Sequence, residues 1–273
     1  MLELIDSWFN WMPEQASTFA PKVDFINNFI TYVSVFCILA ISGAMVYYGF
    51  RYNRKKTKET AYITHNAALE TVWTAIPTVI CIYVFWVGFD AYREMREVPA
   101  NPIEINVVGT EGWKWIFTYP TGKVDKDLYV PIDKPVRLIM KAERQSHSLF
   151  IPTMRVKEDV IASQYNYLWF QPTKLSPPEG YHIFCTEYCG DQHSEMLARL
   201  HVVSSEEYED FINDRSAVEL TPAERGKKVY ELHCSACHSL DGSRVVGPSF
   251  KGLWGGNERV KDSKDGEAYE VMV

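Results

Sequence analysis

Two stretches of this chain contain no charged residue, 25–50 between Asp24 and Arg51 and 71–89 between Glu70 and Asp90. Roughly 20 apolar residues suffice to cross a bilayer core, so the pattern predicts a transmembrane hairpin with spans near 25–50 and 71–92. Both stretches are rich in Ile, Val, Phe, Tyr and Trp, and the first exceeds an ordinary globular helix, which argues against a pair of buried core helices. From residue 99 the pattern shortens to alternating runs such as Ile103-Glu-Ile-Asn-Val-Val108 and Val136-Arg-Leu-Ile-Met140, separated by Gly, Pro and Asp. A period of two with turn residues between the runs predicts an antiparallel β-sandwich over 99–203, closed by a strand over 196–203. An acidic helix is expected over 204–217, within a linker of 204–220. Thr221-Pro222-Ala223-Glu224 then combines an N-cap residue, a proline at the first helical position and a capping-box glutamate, so a new helix opens a last module over 221–273. Residues 1–98 hold the N-terminal tail and the hairpin.

Composition alone describes an acidic soluble protein, with net charge −7 and mean hydropathy −0.19. The average conceals the two spans. Between them Arg51, Arg54, Lys55, Lys56 and Lys58 face only Glu59, while Lys22 is the sole basic residue before the first span. Positively charged loops stay in the cytoplasm, so both ends of the chain are expected outside. The first 20 residues lack a basic start and a small-residue cleavage site, so the first span is expected to remain as an anchor. A lipid bilayer is therefore one partner, and no nucleic-acid partner is expected. Of six cysteines, Cys37 and Cys81 fall inside the spans and read as small apolar packing residues. The other four belong to two motifs.

The first motif is Cys185-Thr-Glu187-Tyr-Cys189-Gly-Asp-Gln-His193-Ser-Glu-Met196, with two thiols, an imidazole and a thioether in twelve residues. Sulfur ligands select copper in its lower oxidation states, and the methionine tilts the choice away from zinc. A plain disulfide or a structural zinc site would also use a cysteine pair. His147, in Ser146-His147-Ser148-Leu149, is the best upstream candidate for a second imidazole. The aromatic segment Gly112-Trp113-Lys114-Trp115-Ile116-Phe117 would put Trp113, Trp115 and Phe117 on one strand face, where core packing alone could account for them. The second motif, Cys234-Ser-Ala-Cys237-His238, has the form of a c-type haem attachment site, two thiols for thioethers and an adjacent axial histidine. Thiol redox chemistry or zinc are its alternatives.

The first motif closely resembles the binuclear copper loop of subunit II of haem-copper cytochrome c oxidases, Cys-x-Glu-x-Cys-Gly-x-x-His-x-x-Met. The resemblance implies that Cys185 and Cys189 bridge two coppers and that His147 and His193 each bind one. It implies that Met196 is a weak ligand and that Glu187 gives its backbone carbonyl, its side chain reaching a magnesium at the interface with the catalytic subunit. The resemblance extends to His65-Asn66, Leu69-Glu70, Trp73 and Ile76-Pro77 at the second span and to Arg155-Val-Lys157-Glu-Asp159 after His147. Ile161-Ala162-Ser163 departs from it, where relatives often carry a Pro-Gly turn. Trp113 is the position that best matches the family's tryptophan through which electrons arrive, Trp115 being the other possibility. The implied fold of 99–203 is a Greek-key cupredoxin.

Gly226 and Tyr230 before the haem motif, and Gly247-Pro248-Ser249-Phe250-Lys251-Gly252-Leu253-Trp254-Gly255 after it, resemble an α-helical class I cytochrome c. Only 35 residues follow His238, and Met272 is the one methionine among them. The module is therefore expected to be incomplete and its sixth haem ligand open. Joined together, the modules resemble the fused subunit II of caa-type oxidases. That implies copper A, haem c, oxidase subunit I and other subunits as partners, cytochrome c or a respiratory complex as donor, and the bacterial plasma membrane with the soluble domains on its periplasmic side. Oxygen reduction and proton pumping would belong to the assembled complex. The main alternative is a membrane-tethered copper and haem carrier serving another terminal reductase.

Overall fold

The chain is described by a computed structural model over residues 12–56, 59, 62, 64–214, 222–253, 257–261 and 268–272. Helix α1 (Ala20–Arg51) and helix α2 (Ala67–Arg96) contain both predicted spans. At about 1.5 Å per residue, their 32 and 30 residues are longer than a hydrocarbon core. Asn66 caps α2: its side chain accepts from Leu69 N at 3.1 Å, and Glu70 reaches back to Asn66 N at 3.1 Å. Lys22 ties the ends of the hairpin together through Asp90 and Glu94, at 2.6 and 2.7 Å, and Phe29 meets Tyr83 edge-on. Elsewhere the two helices leave most of their circumference open, with Phe36, Met45, Phe85 and Trp86 exposed. Cys37 and Cys81 lie exposed on the outer faces of the hairpin as well. Two helices touching along one seam cannot bury thiols on their outer faces.

The sandwich has two five-stranded sheets. The first runs β3 (Val124–Asp125), β2 (Trp115–Thr118), β1 (Ile103–Gly109), β5 (Val136–Ala142), β8 (Asn166–Phe170). The second runs β4 (Leu128–Pro131), β10 (Leu197–Val203), β9 (Tyr181–Cys185), β6 (His147–Ile151), β7 (Val156–Val160). The expected purely antiparallel pairing is corrected at two places, since β1 pairs with β5 and β10 with β4 in parallel. In each of those pairs the chain crosses away from the sheet between the partners and returns in the same direction. Alternation along β5 buries Val136, Leu138, Met140 and Ala142, which join Ile105, Phe117, Leu149, Ile183 and Leu200 in one core. Trp113 is not part of the alternating strand. It sits in the turn before β2 at φ 54°, while Trp115 begins the strand and is fully buried.

The segment before α1 belongs to the sandwich. Ala16 and Phe19 are buried in its core, Ala16 N donates to Thr153 O at 3.1 Å, and Phe19 meets Trp169 edge-on at 4.7 Å. Arg155 completes this junction from a left-handed backbone at φ 57°. Its guanidinium makes a two-pronged pair with Asp24, at 2.7 and 2.9 Å, and donates to the carbonyls of Pro13 and Pro152 at 2.6 and 2.5 Å. Gln15 donates to Asp24 from the other side at 2.7 Å. The first turn of α1 is thereby fixed to the β6–β7 connection.

Helix α3 (Ser205–Asn213) is shorter than the acidic helix expected over 204–217; residues 215–217 lie outside the described residues. Ser204 and Glu207 form a capping box, Tyr208 is buried, and Phe211 stacks on Tyr129 at 4.1 Å. The helix therefore packs on the sandwich rather than spanning free between modules. Helix α4 (Pro222–Val229) continues into a π-helical turn over Tyr230–Cys234, which carries the first cysteine of the haem motif. The last described elements are strands β11 (Asn257–Lys261) and β12 (Ala268–Met272), paired antiparallel, a departure from the α-helical module that the resemblance implies. The backbone of Met272 is paired with Asn257 in this hairpin.

Candidate metal centre

One end of the second sheet assembles the first motif. His147 opens β6, Cys185 ends β9, and the two strands pair through Leu149 and Cys185. The ligand loop then returns through Met196 into β10, which pairs with the other edge of β9. The donor atoms converge in two symmetrical halves. Cys185 Sγ lies 3.9 Å from His147 Nδ1, and Cys189 Sγ lies 3.4 Å from His193 Nδ1. The two sulfurs are 3.8 Å apart, well beyond the roughly 2.0 Å of a disulfide. The Glu187 carbonyl is 3.3 Å from Cys185 Sγ, and Met196 Sδ is 3.9 Å from Cys189 Sγ. Met196 is fully buried and both cysteines nearly so, whereas the Glu187 side chain points outward and is exposed. Two thiols, each beside its own imidazole, with a thioether and a carbonyl at the ends, make a soft donor set suited to a pair of copper ions bridged by sulfur.

Close approach between the sheets shapes this end. A Cβ at Gly109 of β1 would come within 2.6 Å of the His147 ring, so only glycine leaves room for that imidazole. Trp115 meets the same ring edge-on at 5.8 Å. Burial pushes His147 down to about 4, the Thr110 carbonyl offsetting part of the shift, so the ring is neutral and free to ligate at pH 7. Burial, reinforced by Cys185, pushes the Cys189 thiol up to about 12, so a metal must displace its proton. Gly190, at φ 122°, faces Trp113: a Cβ there would lie 3.1 Å from the indole. Trp113 Nε1 donates to the Cys189 carbonyl at 3.0 Å, which places this half-buried ring directly on the ligand loop.

The second motif is built locally. Cys237 N and His238 N both donate to the Cys234 carbonyl, at 3.1 and 2.9 Å, which sets the two thiols and the imidazole on one tight turn. His238 Nδ1 is 2.7 Å from the Pro248 carbonyl, an arrangement that fixes the tautomer and leaves Nε2 for iron. Gly247 makes way for the ring, since a Cβ there would approach it within 2.6 Å. Phe250 stacks on His238 at 4.3 Å, and the Tyr230 hydroxyl donates to the His238 carbonyl at 2.7 Å. A cavity of about 540 Å³ beside Cys234, Cys237 and His238 is bounded on its far side by Trp113 and Cys189. The residues fit a covalent haem.

Three family models match in order along the chain. The transmembrane domain of cytochrome c oxidase subunit II matches 6–90, its periplasmic domain 117–203, and cytochrome c 223–270. The chain belongs to the cytochrome c oxidase subunit II family. It is a cupredoxin-like subunit with two membrane spans and a fused C-terminal cytochrome c domain, the subunit through which electrons pass into a haem-copper oxidase. Cytochrome c oxidase subunit 2 of Synechocystis sp. is 29% identical over 78% of this chain and 79% of that protein. That of Alkalihalophilus pseudofirmus is 26% identical over 84% of this chain and 72% of its own length. Among solved structures, the periplasmic domain of cytochrome oxidase subunit II from Bradyrhizobium japonicum is 25% identical over 45% of this chain and 99% of that domain, with a TM-score of 0.41. Membership implies copper A, haem c and association with subunit I in general terms.

Several residues of this subunit II that shape the site were not singled out by sequence reasoning. Gly109 gives no sign in sequence that it faces His147 across the sandwich. Gln192 was read only as a spacer within the ligand loop, and Lys114 only as part of an aromatic run. Arg155 was noted as part of a motif, but its pairing with Asp24 spans 131 residues and has no local signature.

Proposed function

We propose that His147, Cys185, Cys189, His193, Met196 and the Glu187 carbonyl hold copper A, and that Cys234, Cys237 and His238 hold haem c. The observation that carries this reading is the convergence of two thiols, each within 4 Å of its own imidazole, at one end of a rigid sheet. A copper pair held by these residues would supply one-electron transfer chemistry. The chain's own residues keep the geometry fixed: β6, β9 and β10 hold the ligands from three backbone positions, and Trp115 and Gly109 confine His147. Trp113, bonded to the ligand loop, is the residue through which electrons reach Cys189. The exposed Glu187 side chain is available for a magnesium ion shared with subunit I.

Cytochrome c or a respiratory complex donates electrons, and subunit I receives them for oxygen reduction coupled to proton pumping. The spans lie in a bacterial plasma membrane, with the sandwich and the haem module on the periplasmic side. The basic residues between the spans support this orientation.

Low-temperature EPR of the oxidised full chain tests the reading. A multi-line copper signal shared by two nuclei, lost in His147→Ala, is expected, with two coppers per chain by metal analysis. A single-copper spectrum that survives the substitution would overturn it.

A further inference from the structure

The sandwich reaches the haem-attachment segment through two side chains. Lys114 Nζ, from the turn before β2, donates to the Glu231 carbonyl and to Ser235 Oγ, the latter at 2.5 Å. Gln192 Nε2 donates to the Ala236 carbonyl at 2.8 Å. Both positions are informative. Gln192 is the immediate neighbour of His193 in the copper loop, and Ala236 lies between the two haem cysteines. A single hydrogen bond therefore joins the two cofactor loops, with one peptide on either side of it. Lys114 meets the carbonyl end of a helical segment, which favours a cation, and shares the Glu231 carbonyl with the Ser235 hydroxyl, which donates to it at 3.2 Å. Burial, with Lys126 next, draws Lys114 below the ordinary lysine value, as expected of an ammonium covered by a neighbouring module.

All three acceptors are neutral oxygens, unlike the opposed charge patches that steer a diffusing donor. Trp113, adjacent to Lys114, lies under the same contact and lines the cavity that contains Cys234, Cys237 and His238. Nothing in the haem motif itself requires this contact. It comes from the sandwich.

Building on the proposed copper and haem sites, we propose that Lys114 and Gln192 form a latch. It docks the tethered haem module on the copper loop and positions it for one-electron transfer, covering Trp113 from soluble donors. Lys114 and Gln192 are positioning residues: neither touches a cofactor. The step moves one electron from haem iron to copper, with no bond made or broken at the latch.

The assembled oxidase tests this through Lys114→Met, Gln192→Leu and the double variant, which keep apolar bulk, shorten each side chain by one atom and remove the donors. After photochemical injection of one electron into haem c, its reoxidation by copper is expected to slow about tenfold in each single variant, since misplacement by about 1 Å can cost up to a hundredfold. The copper EPR spectrum and the haem potential should not move. A soluble basic cytochrome c should reduce the copper faster in the double variant than in the wild type. In the detergent-solubilised full chain without cofactors, amide exchange at 190–193 and 234–237 should rise in the double variant. Wild-type transfer rates in the double variant, with both cofactors spectroscopically intact, would overturn the latch. Loss of the binuclear copper signal in the wild type would instead overturn the proposed site.

Discussion

The sandwich is held at two junctions of opposite character. On the membrane side, Arg155 and Asp24 form a two-pronged ion pair whose side chains are only 3% and 10% exposed. On the haem side, half-buried Lys114 and Gln192 rest on neutral oxygens of the haem segment. A buried charge pair is costly to separate because each partner would be left uncompensated in a dry setting. Hydrogen bonds to neutral oxygens at a wet boundary leave no buried counter-charge behind and exchange with water at smaller cost. The first junction therefore ties the sandwich firmly to the start of the first span, and the second holds the haem segment by bonds that are individually cheaper to break. Rigidity lies toward the electron acceptor and reversibility toward the donor.

Breaking the membrane-side junction is expected to have the largest effect. Arg155→Met or Asp24→Asn strands one charge and should cost about 3–5 kcal/mol, read as loss of thermal stability of the purified oxidase or failure to assemble. Stability within about 1 kcal/mol of wild type would show that the pair does not carry the junction.

Between the two junctions, Gly109→Ala drives a methyl into the His147 ring and should cost about 1–3 kcal/mol through overpacking. Copper content and the hyperfine pattern should change in that variant while haem c incorporation remains normal. An unaltered EPR spectrum would show that the ring relocates freely.

The titration of the proposed copper ligands sharpens the contrast between the preorganised site and its surroundings. Since Cys189 is pushed up to about 12, its thiol is protonated at pH 7 and must release that proton on copper uptake. Apparent copper affinity should therefore fall as pH falls, about tenfold per pH unit for each proton released. His147, at about 4, adds nothing to this slope near neutrality. Calorimetric titration in buffers of different ionisation enthalpy measures the proton count, and a count of zero would contradict the thiol's protonation.

The smallest effect belongs to the haem-side junction. Lys114→Met should change global thermal stability by about 1 kcal/mol or less, whatever it does to transfer rate. A loss as large as that of Arg155→Met would make Lys114 a structural anchor and remove the contrast.

Much of the candidate site was legible because its chemistry is local. Seven residues from Glu187 to His193 place a thiol, an imidazole and a carbonyl by loop geometry, and the Cys234-to-His238 turn organises itself through the Cys234 carbonyl. The hairpin was legible because two uncharged runs admit few other structures. Trp113 was misplaced by periodicity: extrapolating the alternation of β2 by two residues ignored the turn before the strand, where the backbone goes left-handed at Trp113 itself. Helix α3 looked like a linker because its acidic face is visible in sequence, whereas the partners of Tyr208 and Phe211 are not.

The candidate ligand types, the number of spans and the order of modules are already readable from residue order, because each depends on spacing along the chain and on the water-to-apolar preference of its side chains. Tertiary structure alone decided which glycine clears His147, which carboxylate answers Arg155, and which side chains reach the haem segment. Those contacts join residues tens to more than a hundred positions apart, and only the strand order of two packed sheets brings them within bonding distance.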